Sequence, residues 1–490
     1  MHRCPPNASI SARRPVKYLR RGASIAALGA VLLIPDVASA STSACTAIGT
    51  QSGSSSAATV TFASYFGGGA SDTVAVAEVA DSCLVYYGGI VTGPAPASAR
   101  LVGPGTTAAS TGVLILSEPI VGAITAAVRF GQSITDAQIH RASGDIIVAS
   151  NIGLARLSGD LSVTRWVKAG QFARVSIGAD GTIAALEGSA GKRLVVYDAD
   201  GTQLYERSFG DSQVNDVAVF SGAKPADRRI IVTGLAQRNG GGCRQLQVAW
   251  IRAYDGANQL AWSGYDWSQT QAYARASSCA DTRGYRVAIG ADNLLYFAGE
   301  SAGGNSIFRY GVRDLQQNAP NVATDAFNSA YNTASNHITY FARLNPLDGS
   351  QISGAFLLAR LTSGRGNTIR PRAITADESG TVYLGGVSAA SIQNRAMLTI
   401  NGTPSAPYAG GDPWLLVLSP DLRQRRLWTS FADGGQGEVQ AIGVRGGALA
   451  VGVRADARNA ATGRALYVTP GAASQYVGAK AGYRALLPTK

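Results

Sequence analysis

The sequence has few residues that could hold a transition metal. Its 490 residues include five cysteines and three histidines. Beyond residue 40 the histidines are His140 and His337, which stand far apart, and the cysteines are Cys45, Cys83, Cys243 and Cys279. This spacing matches no zinc pattern. The sequence therefore predicts no metal site and no cofactor, and both histidines are expected to have packing or surface roles.

Long hydrophobic runs are also missing, because the longest, residues 25–34, is shorter than the roughly 20 residues that span a bilayer. Five basic residues between Arg13 and Arg21 precede this run, and Ala38-Ser39-Ala40 follows it. This order is typical of a secretory signal, so we expect residues 1–40 to be removed near Ala40. The sequence predicts export to the periplasm, the cell surface or the medium, without a transmembrane segment. Twin-arginine export and lipidation at Cys45 stay open.

Charged residues are scarce, at 15% of the chain. Residues 1–40 contain six Lys/Arg and one Asp, so without them the 43 basic and 31 acidic residues fall to 37 and 30. The basic residues are scattered arginines that do not alternate with aromatic residues, which argues against a nucleic-acid groove. A solvated arginine-rich surface is expected, and an anionic glycan or cell-surface polymer remains a conceivable partner.

Sustained helical periodicity is absent, whereas glycine is abundant at 59 residues. Residues 41–57 are a low-complexity arm of Ser, Thr, Ala and Gly. From residue 58 to residue 490 the chain repeats one pattern, which is clearest at residues 373–386: an apolar strand, an Asp-x-x-Gly turn, and a second apolar strand stopped by glycines. Repeated short strands with Asp/Gly turns indicate an all-β protein.

Each repeat has four strands, of which the first bears aromatic residues and ends in glycine. Such units bury their sheet faces by stacking around an axis, which predicts a single β-propeller. We count seven candidate four-stranded blades and favour that number. Six remains an alternative, because the first two units are the most degenerate. A monomer is expected.

Two segments carry a resemblance to a known family. Residues 65–72, Tyr-Phe-Gly-Gly-Gly-Ala-Ser-Asp, and residues 341–349, Phe-Ala-Arg-Leu-Asn-Pro-Leu-Asp-Gly, resemble the SBBP-type bacterial β-propeller repeat, as do residues 374–386. The resemblance covers most of residues 60–490. It implies an extracytoplasmic propeller that serves binding or surface display, and it implies no reaction.

An acidic residue recurs at the start of the second strand of several units, as Asp72, Asp136, Asp216 and Glu438. A ring of such carboxylates could bind cations. The repetition favours a structural role instead, in which each carboxylate accepts backbone N–H groups and fixes its loop.

The longest loops, residues 265–284, 300–337, 387–412 and 454–482, are all expected on one face of the propeller. Cys243 and Cys279 then lie on adjacent blades at this face, which predicts a Cys243–Cys279 disulfide. A Cys45–Cys83 disulfide would fix the arm to the first blade. Even cysteine numbers in an exported chain favour such pairing.

This face carries aromatic residues beside arginines, which suit glycan or peptide recognition. The candidate ligand-binding residues are Tyr265, Trp267, Tyr273, Arg275, Arg309 and Tyr310. No Ser-His-Asp pattern is found, and no pair among the 30 carboxylates stands out for glycosidase chemistry. The sequence thus predicts a binding module for an extracellular protein or glycan. The rivals are a polysaccharide hydrolase or lyase and a structural envelope component.

Overall fold

The computed structural model describes residues 45–93, 96, 98–188, 191–210, 213–239, 245–274, 278–323, 337–361, 363, 366–406, 408, 410–432, 436–456, 466–473 and 480–489. All of these belong to one compact unit, Ser43–Lys490. The predicted signal peptide lies outside the described residues. Within them, no helix is long and apolar enough to cross a membrane.

Strands dominate the chain. The arm supplies β1 (Ala57–Ala58) and β2 (Phe62–Phe66). The first sheet contains β3 (Thr73–Val79), β4 (Val85–Ile90), β5 (Arg100–Leu101), β6 (Gly112–Ser117) and β7 (Ile124–Arg129). The second contains β8 (Ile134–Ile139), β9 (Ile146–Ser150), β10 (Gly153–Leu157) and β11 (Thr164–Ala169). The third contains β12 (Phe172–Ile177), β13 (Ile183–Glu187), β14 (Arg193–Tyr197) and β15 (Gln203–Ser208).

The fourth sheet contains β16 (Gln213–Phe220), β17 (Arg229–Arg238), β18 (Leu246–Tyr254) and β19 (Leu260–Tyr265). The fifth contains β20 (Thr282–Ile289), β21 (Leu295–Ser301), β22 (Val322–Ala323), β23 (Ile338–Leu344) and β24 (Gln351–Leu357). A short pair, β25 (Ala359–Arg360) and β26 (Gly366–Asn367), precedes the sixth sheet. That sheet has β27 (Ile369–Ala376) and β28 (Val382–Ser388), and after β29 (Thr399–Ile400) and β30 (Thr403–Pro404) it adds β31 (Asp412–Leu418) and β32 (Arg425–Ser430).

The seventh sheet contains β33 (Gly437–Arg445), β34 (Ala448–Asp456) and β35 (Lys480–Pro488), and β2 is its outer strand. In the described residues, helical structure is limited to α1 (Gln269–Ala274) and four 3₁₀ turns, Thr46–Ile48, Pro225–Asp227, Ile307–Arg309 and Arg395–Met397. The strand content confirms the prediction of an all-β protein.

The first strands of these seven sheets surround an axis. Contacts run from β3 through β8, β12, β16, β20 and β27 to β33, and β33 contacts β3 again. The chain is therefore a single β-propeller, as predicted. Middle strands such as β9 and β13 are apolar runs buried on both faces, because neighbouring sheets cover both sides. Outer strands such as β11 and β15 are mostly exposed or half-buried.

The number of sheets differs from the six or seven expected. The described strands form eight sheets of three or more strands, and the eighth is β1-β29-β30, which combines the arm with a loop of the sixth sheet. Its strands have two residues each, so no apolar alternation revealed them in the sequence. Trp428 donates its backbone N–H to Ser55 near this sheet, and Asn401 hydrogen-bonds Val60.

The predicted units were one strand out of phase with the sheets. Each aromatic strand that ends in glycine, such as β2, is the outer strand of the preceding sheet, and the strand after the acidic loop is the inner one. The loops assigned between third and fourth strands, residues 300–337 among them, therefore join second and third strands. The prediction that they share a face with residues 265–284 is unaffected, because a shift of one strand moves all loops together. We call this the long-loop face.

The Asp-x-x-Gly turn at residues 377–380 is scaffold, as expected. One carboxylate oxygen of Asp377 accepts the backbone N–H groups of Ser379 and Thr381 at 2.9 and 3.0 Å. The other accepts the Tyr383 hydroxyl at 2.8 Å. Gly380 has a φ of 78°, which glycine adopts without strain.

Candidate binding site at the channel mouth

A β-bulge recurs in the first strand of all seven large sheets. The register shifts after Val74, Ile134, Phe172, Val214, Gly284, Pro371 and Val439. A bulge inserts one extra residue and re-aims the side chains that follow it. Each bulge lies near the start of its strand, on the long-loop side, so the bulges together shape one end of the axial cavity.

The axial cavity has a volume of 130 Å³ and is lined by residues of all seven first strands. Directly after the bulge, the second to fifth sheets place Asp136, Arg174, Asp216 and Arg286, so that acidic and basic residues alternate around half of the axis. The first, sixth and seventh sheets have small apolar residues at this position. The charged half of the cavity is thus built by four consecutive sheets.

The two aspartates connect neighbouring sheets. Asp136 accepts the N–H of Ala137 on its own strand at 3.0 Å and that of Val175 on β12 at 3.0 Å. Asp216 accepts from Val217 at 3.0 Å and from Val287 on β20 at 3.1 Å. Both oxygens of each carboxylate are therefore engaged by backbone groups, which fits a structural role better than general acid–base catalysis.

Burial perturbs the pKa values of this cavity. It raises the pKa of Asp136 to about 6 against the charge of Arg174, and it raises that of Asp216. It also raises the pKa of Glu78, further along β3, to about 7, although Arg141 opposes the shift. Burial and the like charge of Arg174 lower the pKa of Arg286 to about 9.

We expect Glu78→Gln to flatten the pH dependence of stability. Because the pKa of Glu78 is raised in the folded state, its contribution is largest at acid pH and is lost as pH rises towards 7. Relative to wild type, the variant should therefore gain about 2–3 kcal/mol of unfolding free energy between pH 5 and pH 8. Urea unfolding at the two pH values measures this gain. Glu206→Gln, an exposed control, should show none; an equal gain there would contradict the assignment.

The four recurrent acids do not occupy one position. Asp72 precedes β3, Asp136 and Asp216 follow a bulge, and Glu438 lies just before one. A ring of equivalent carboxylates is therefore wrong, because loop lengths and bulges shift their distance from the preceding glycine. The structural role fits Asp72, whose carboxylate accepts backbone N–H groups of Gly68, Gly69 and Thr92 at 2.7–2.8 Å.

At the long-loop end of β20, β21 and β27, Glu300 gathers several donors. Its side chain is 1% exposed and pairs with Arg283 at 3.0 Å and Arg370 at 3.0 Å. Tyr285 donates its hydroxyl to the same carboxylate at 2.6 Å, and His337 contacts it as well. Burial opposes ionisation, but these hydrogen bonds and the Arg370 charge outweigh it and lower the pKa of Glu300.

A second cluster of the same kind lies on the neighbouring strands. Glu438 on β33 is 9% exposed and pairs with Arg372 at 2.8 Å and with Arg454 at 2.9 Å. Gln440 donates to it at 3.0 Å. Burial raises the pKa of Glu438, but the charges of Arg372 and Arg454 lower it by more, so the net shift is downward.

The two clusters are neighbours, because β27 contributes one arginine to each of them. Arg370 and Arg372 stand two residues apart on β27, and Arg372 also lines the axial cavity. The guanidinium side chains are 24–33% exposed, whereas the two carboxylates beneath them are 1% and 9% exposed. We call Arg283, Arg370, Arg372 and Arg454 the arginine arc.

The structure places two of the predicted ligand-binding aromatics in the core. Tyr265 and Trp267 are 3% and 1% exposed. They pack with Phe308 and Ile307 of the loop between β21 and β23, and the Tyr265 hydroxyl donates to that of Tyr340 at 3.0 Å. Both were wrongly assigned to the surface, because the polar sequence around them gave no sign that this loop folds back over them.

The other predicted ligand-binding residues have mixed outcomes. Tyr273 on α1 is 66% exposed. Tyr310 and Arg309 are half-buried; Tyr310 lies beside the Trp267 ring at 5.9 Å and shares a hydrogen bond with Ser278 at 3.2 Å. Arg275 lies outside the described residues. The arginine arc was not predicted, although each of its members was visible in the sequence.

The predicted Cys45–Cys83 disulfide is present. Cys279 is disulfide-bonded, and its predicted partner Cys243 lies outside the described residues. His140 has a packing role, because its ring nitrogens contact Ser143 and the carbonyl of Ala179. Across the described part of the chain, no cluster of three His, Cys, Asp or Glu could hold a metal ion.

Comparison with known proteins adds little beyond the fold. No family model matches the chain, and no curated protein matches it. A solved structure titled "Crystal Structure of Mitotic Checkpoint Complex" is similar, with a TM-score of 0.47 and 9% identity over 88% of this chain and 92% of that chain. At this level of similarity the match carries no functional argument.

Proposed function

We propose that this protein is an exported binding module, and that its arginine arc recognises a polyanionic extracellular glycan. The observation that carries the proposal is the layering of the arc, in which buried glutamates hold partly exposed guanidinium groups in place. Fixed guanidinium groups suit carboxylate and sulfate groups, which accept two N–H donors at once. Pre-ordered side chains also lose less entropy when a ligand binds.

The location of the arc supports the same ligand class. It lies where the first strands begin, on the long-loop face, beside one end of the axial cavity. A polymer with a repeating charge can contact several arginines along β20, β27 and β34. The exposed Tyr273 on the same face offers an aromatic surface of the kind that sugars stack on.

The proposal is compatible with an SBBP-type repeat protein of the bacterial envelope, and with periplasmic, surface or secreted location. The polysaccharide-active enzyme has weaker support. Asp136 and Asp216 have raised pKa values, but both are engaged by backbone N–H groups in a cavity of 130 Å³. A purely structural envelope role would leave the arc without a ligand.

Polygalacturonate and heparin, compared with neutral dextran, test the proposal by calorimetric titration. We expect the polyanions to bind and dextran not to bind, and we expect affinity to fall as salt rises. Arg370→Gln together with Arg372→Gln should weaken polyanion binding by about tenfold or more, since each lost charge-assisted hydrogen bond contributes roughly 1.5–3 kcal/mol.

Arg423→Gln is the matched control, because Arg423 is exposed in the turn between β31 and β32 on the opposite face. It should leave binding unchanged. Equal losses per arginine removed in the control and in the arc variant would reduce the effect to net charge and overturn the proposal. Absence of binding would favour the structural role, and release of unsaturated or reducing ends would favour the enzyme.

A further inference from the structure

A second cavity lies where the ring closes, away from the arginine arc. It is an open pocket with a volume of 410 Å³, lined by residues of β2 and β35 of the seventh sheet, of β6 and β7 of the first, and of the loop at residues 471–473. Its wall includes the apolar side chains of Phe62, Phe66, Val91, Val113, Ile115 and Ile124. Pockets of roughly 300–1,000 Å³ with apolar walls and few polar groups are typical of small-molecule sites.

Among the described residues of this wall, one is charged. Arg484 on β35 is 6% exposed, and its guanidinium lies 4.9 Å from the Phe62 ring centre and 5.7 Å from that of Tyr87. Its Nη2 donates to the carbonyl of Gly122 at 3.0 Å, and Phe62 and Gly122 also line the cavity. Its Nε and Nη1 are buried without an acceptor among the described residues. Burial lowers the pKa of Arg484 to about 10.

Other arginines of this protein have a carboxylate partner, which Arg484 lacks among the described residues. Two more are buried in the described part of the chain: Arg156 pairs with Asp145 at 2.9 Å, and Arg395 with Asp412 at 2.8 Å. Arg141, which lines a different cavity between the first and second sheets, pairs with Glu78 at 3.4 Å and Asp81 at 3.7 Å. No described carboxylate pairs with Arg484. A buried cation without a counter-charge is costly, so a site that keeps one needs compensation.

We propose that this cavity binds a small amphiphilic carboxylate, of the medium-chain fatty-acid class. The carboxylate lies beside the Arg484 side chain, where that side chain lines the cavity, and supplies the absent negative charge. The hydrocarbon chain lies against the apolar side chains of β2, β6 and β7. The ligand then bridges the first and last sheets and stabilises the closed ring.

The alternative is a structural arginine that is satisfied by the Phe62 and Tyr87 rings and by Gly122. The two roles differ in their dependence on the ligand's headgroup. A carboxylate site prefers decanoate to decanol, whereas a merely apolar cavity takes both alike. This comparison uses the wild-type protein and does not depend on any variant folding.

Calorimetric titration of the purified protein tests the site, with decanoate below its micellar concentration and decanol below its solubility limit. We expect decanoate to bind at least about tenfold more tightly, as one charge-assisted hydrogen bond implies. Arg484→Met should abolish this preference and Arg484→Lys should retain part of it. Arg141→Met, the matched control in the neighbouring cavity, should preserve the preference in full.

Equal affinities for decanoate and decanol in wild type would overturn the proposal, as would an Arg484→Met variant that keeps the preference. Binding of neither compound would also overturn it. None of these outcomes bears on polygalacturonate binding, which concerns a different face and different residues.

Discussion

Replacement of Glu300 by alanine is expected to lower the free energy of unfolding by about 3–5 kcal/mol, because it leaves Arg283, Arg370 and Tyr285 around an uncompensated site. The carboxylate is 1% exposed and joins β21 of the fifth sheet to β27 of the sixth, so water cannot easily replace it. Urea unfolding at pH 7 measures the loss. Polyanion binding should weaken as well, since Arg283 and Arg370 lose the group that positions them.

Two further variants provide the comparison for the Glu300→Ala prediction. Glu378→Ala removes a carboxylate whose side chain is 42% exposed and which pairs with Arg445 at 3.0 Å. Such a surface pair typically contributes about 1 kcal/mol or less, so this control should be close to wild type. Glu300→Gln keeps the shape of the side chain and should fall between the two. If the Glu300→Ala variant is as stable as the Glu378→Ala control, the cluster around Glu300 does not stabilise the fold.

Removal of the Cys45–Cys83 disulfide is expected to cost about 3–4 kcal/mol, given its sequence separation of 38 residues. The bond constrains the unfolded chain, and in the folded protein it holds the arm against the first sheet. Cys45 also donates its backbone N–H to Gly446 in the hairpin of the seventh sheet at 2.7 Å. The arm therefore contacts both sheets that meet at the closure. Urea unfolding of the Cys45→Ser/Cys83→Ser variant measures the effect.

Reductant supplies the internal control for this second prediction. In dithiothreitol, wild type should lose most of its extra stability over the double variant. Reduction breaks both the Cys45–Cys83 and the Cys279 disulfides in wild type, whereas it breaks only the Cys279 disulfide in the variant. Equal stability of variant and oxidised wild type would mean that the arm adds nothing to closure. A difference that persists in full under reductant would assign it to packing of the cysteine side chains.

Local patterns in the sequence predicted the fold well. The Asp377 turn depends on contacts within seven residues, so the Asp-x-x-Gly spacing was sufficient to identify it. The blade phase was harder, because an aromatic strand and the strand that follows it are adjacent in sequence but belong to different sheets. Only backbone pairing distinguishes them: β2 pairs with β35, more than 400 residues away.

The arginine arc could not be predicted from local patterns, because it depends on which strands are neighbours in the folded ring. Arg283 and Arg370 lie far apart in the sequence, and the scattered arginines were interpreted as a solvated surface. They meet on Glu300 because β20 and β27 are neighbours in the ring. The predicted exposure of Tyr265 and Trp267 was wrong for a similar reason, since the loop that covers them starts some 35 residues later. Exposure in a loop cannot be predicted when a distant segment supplies the cover.

The pairing of β2 with β35 also affects how the chain folds during its synthesis. The first large strand to leave the ribosome must wait for the last one before its backbone groups are paired. Until then both strands present open edges, which favour aggregation. Contacts at such sequence distance also slow folding. A chaperone that keeps the chain extended until its C-terminal strand arrives should therefore raise the yield of folded protein more than one that acts on completed chains.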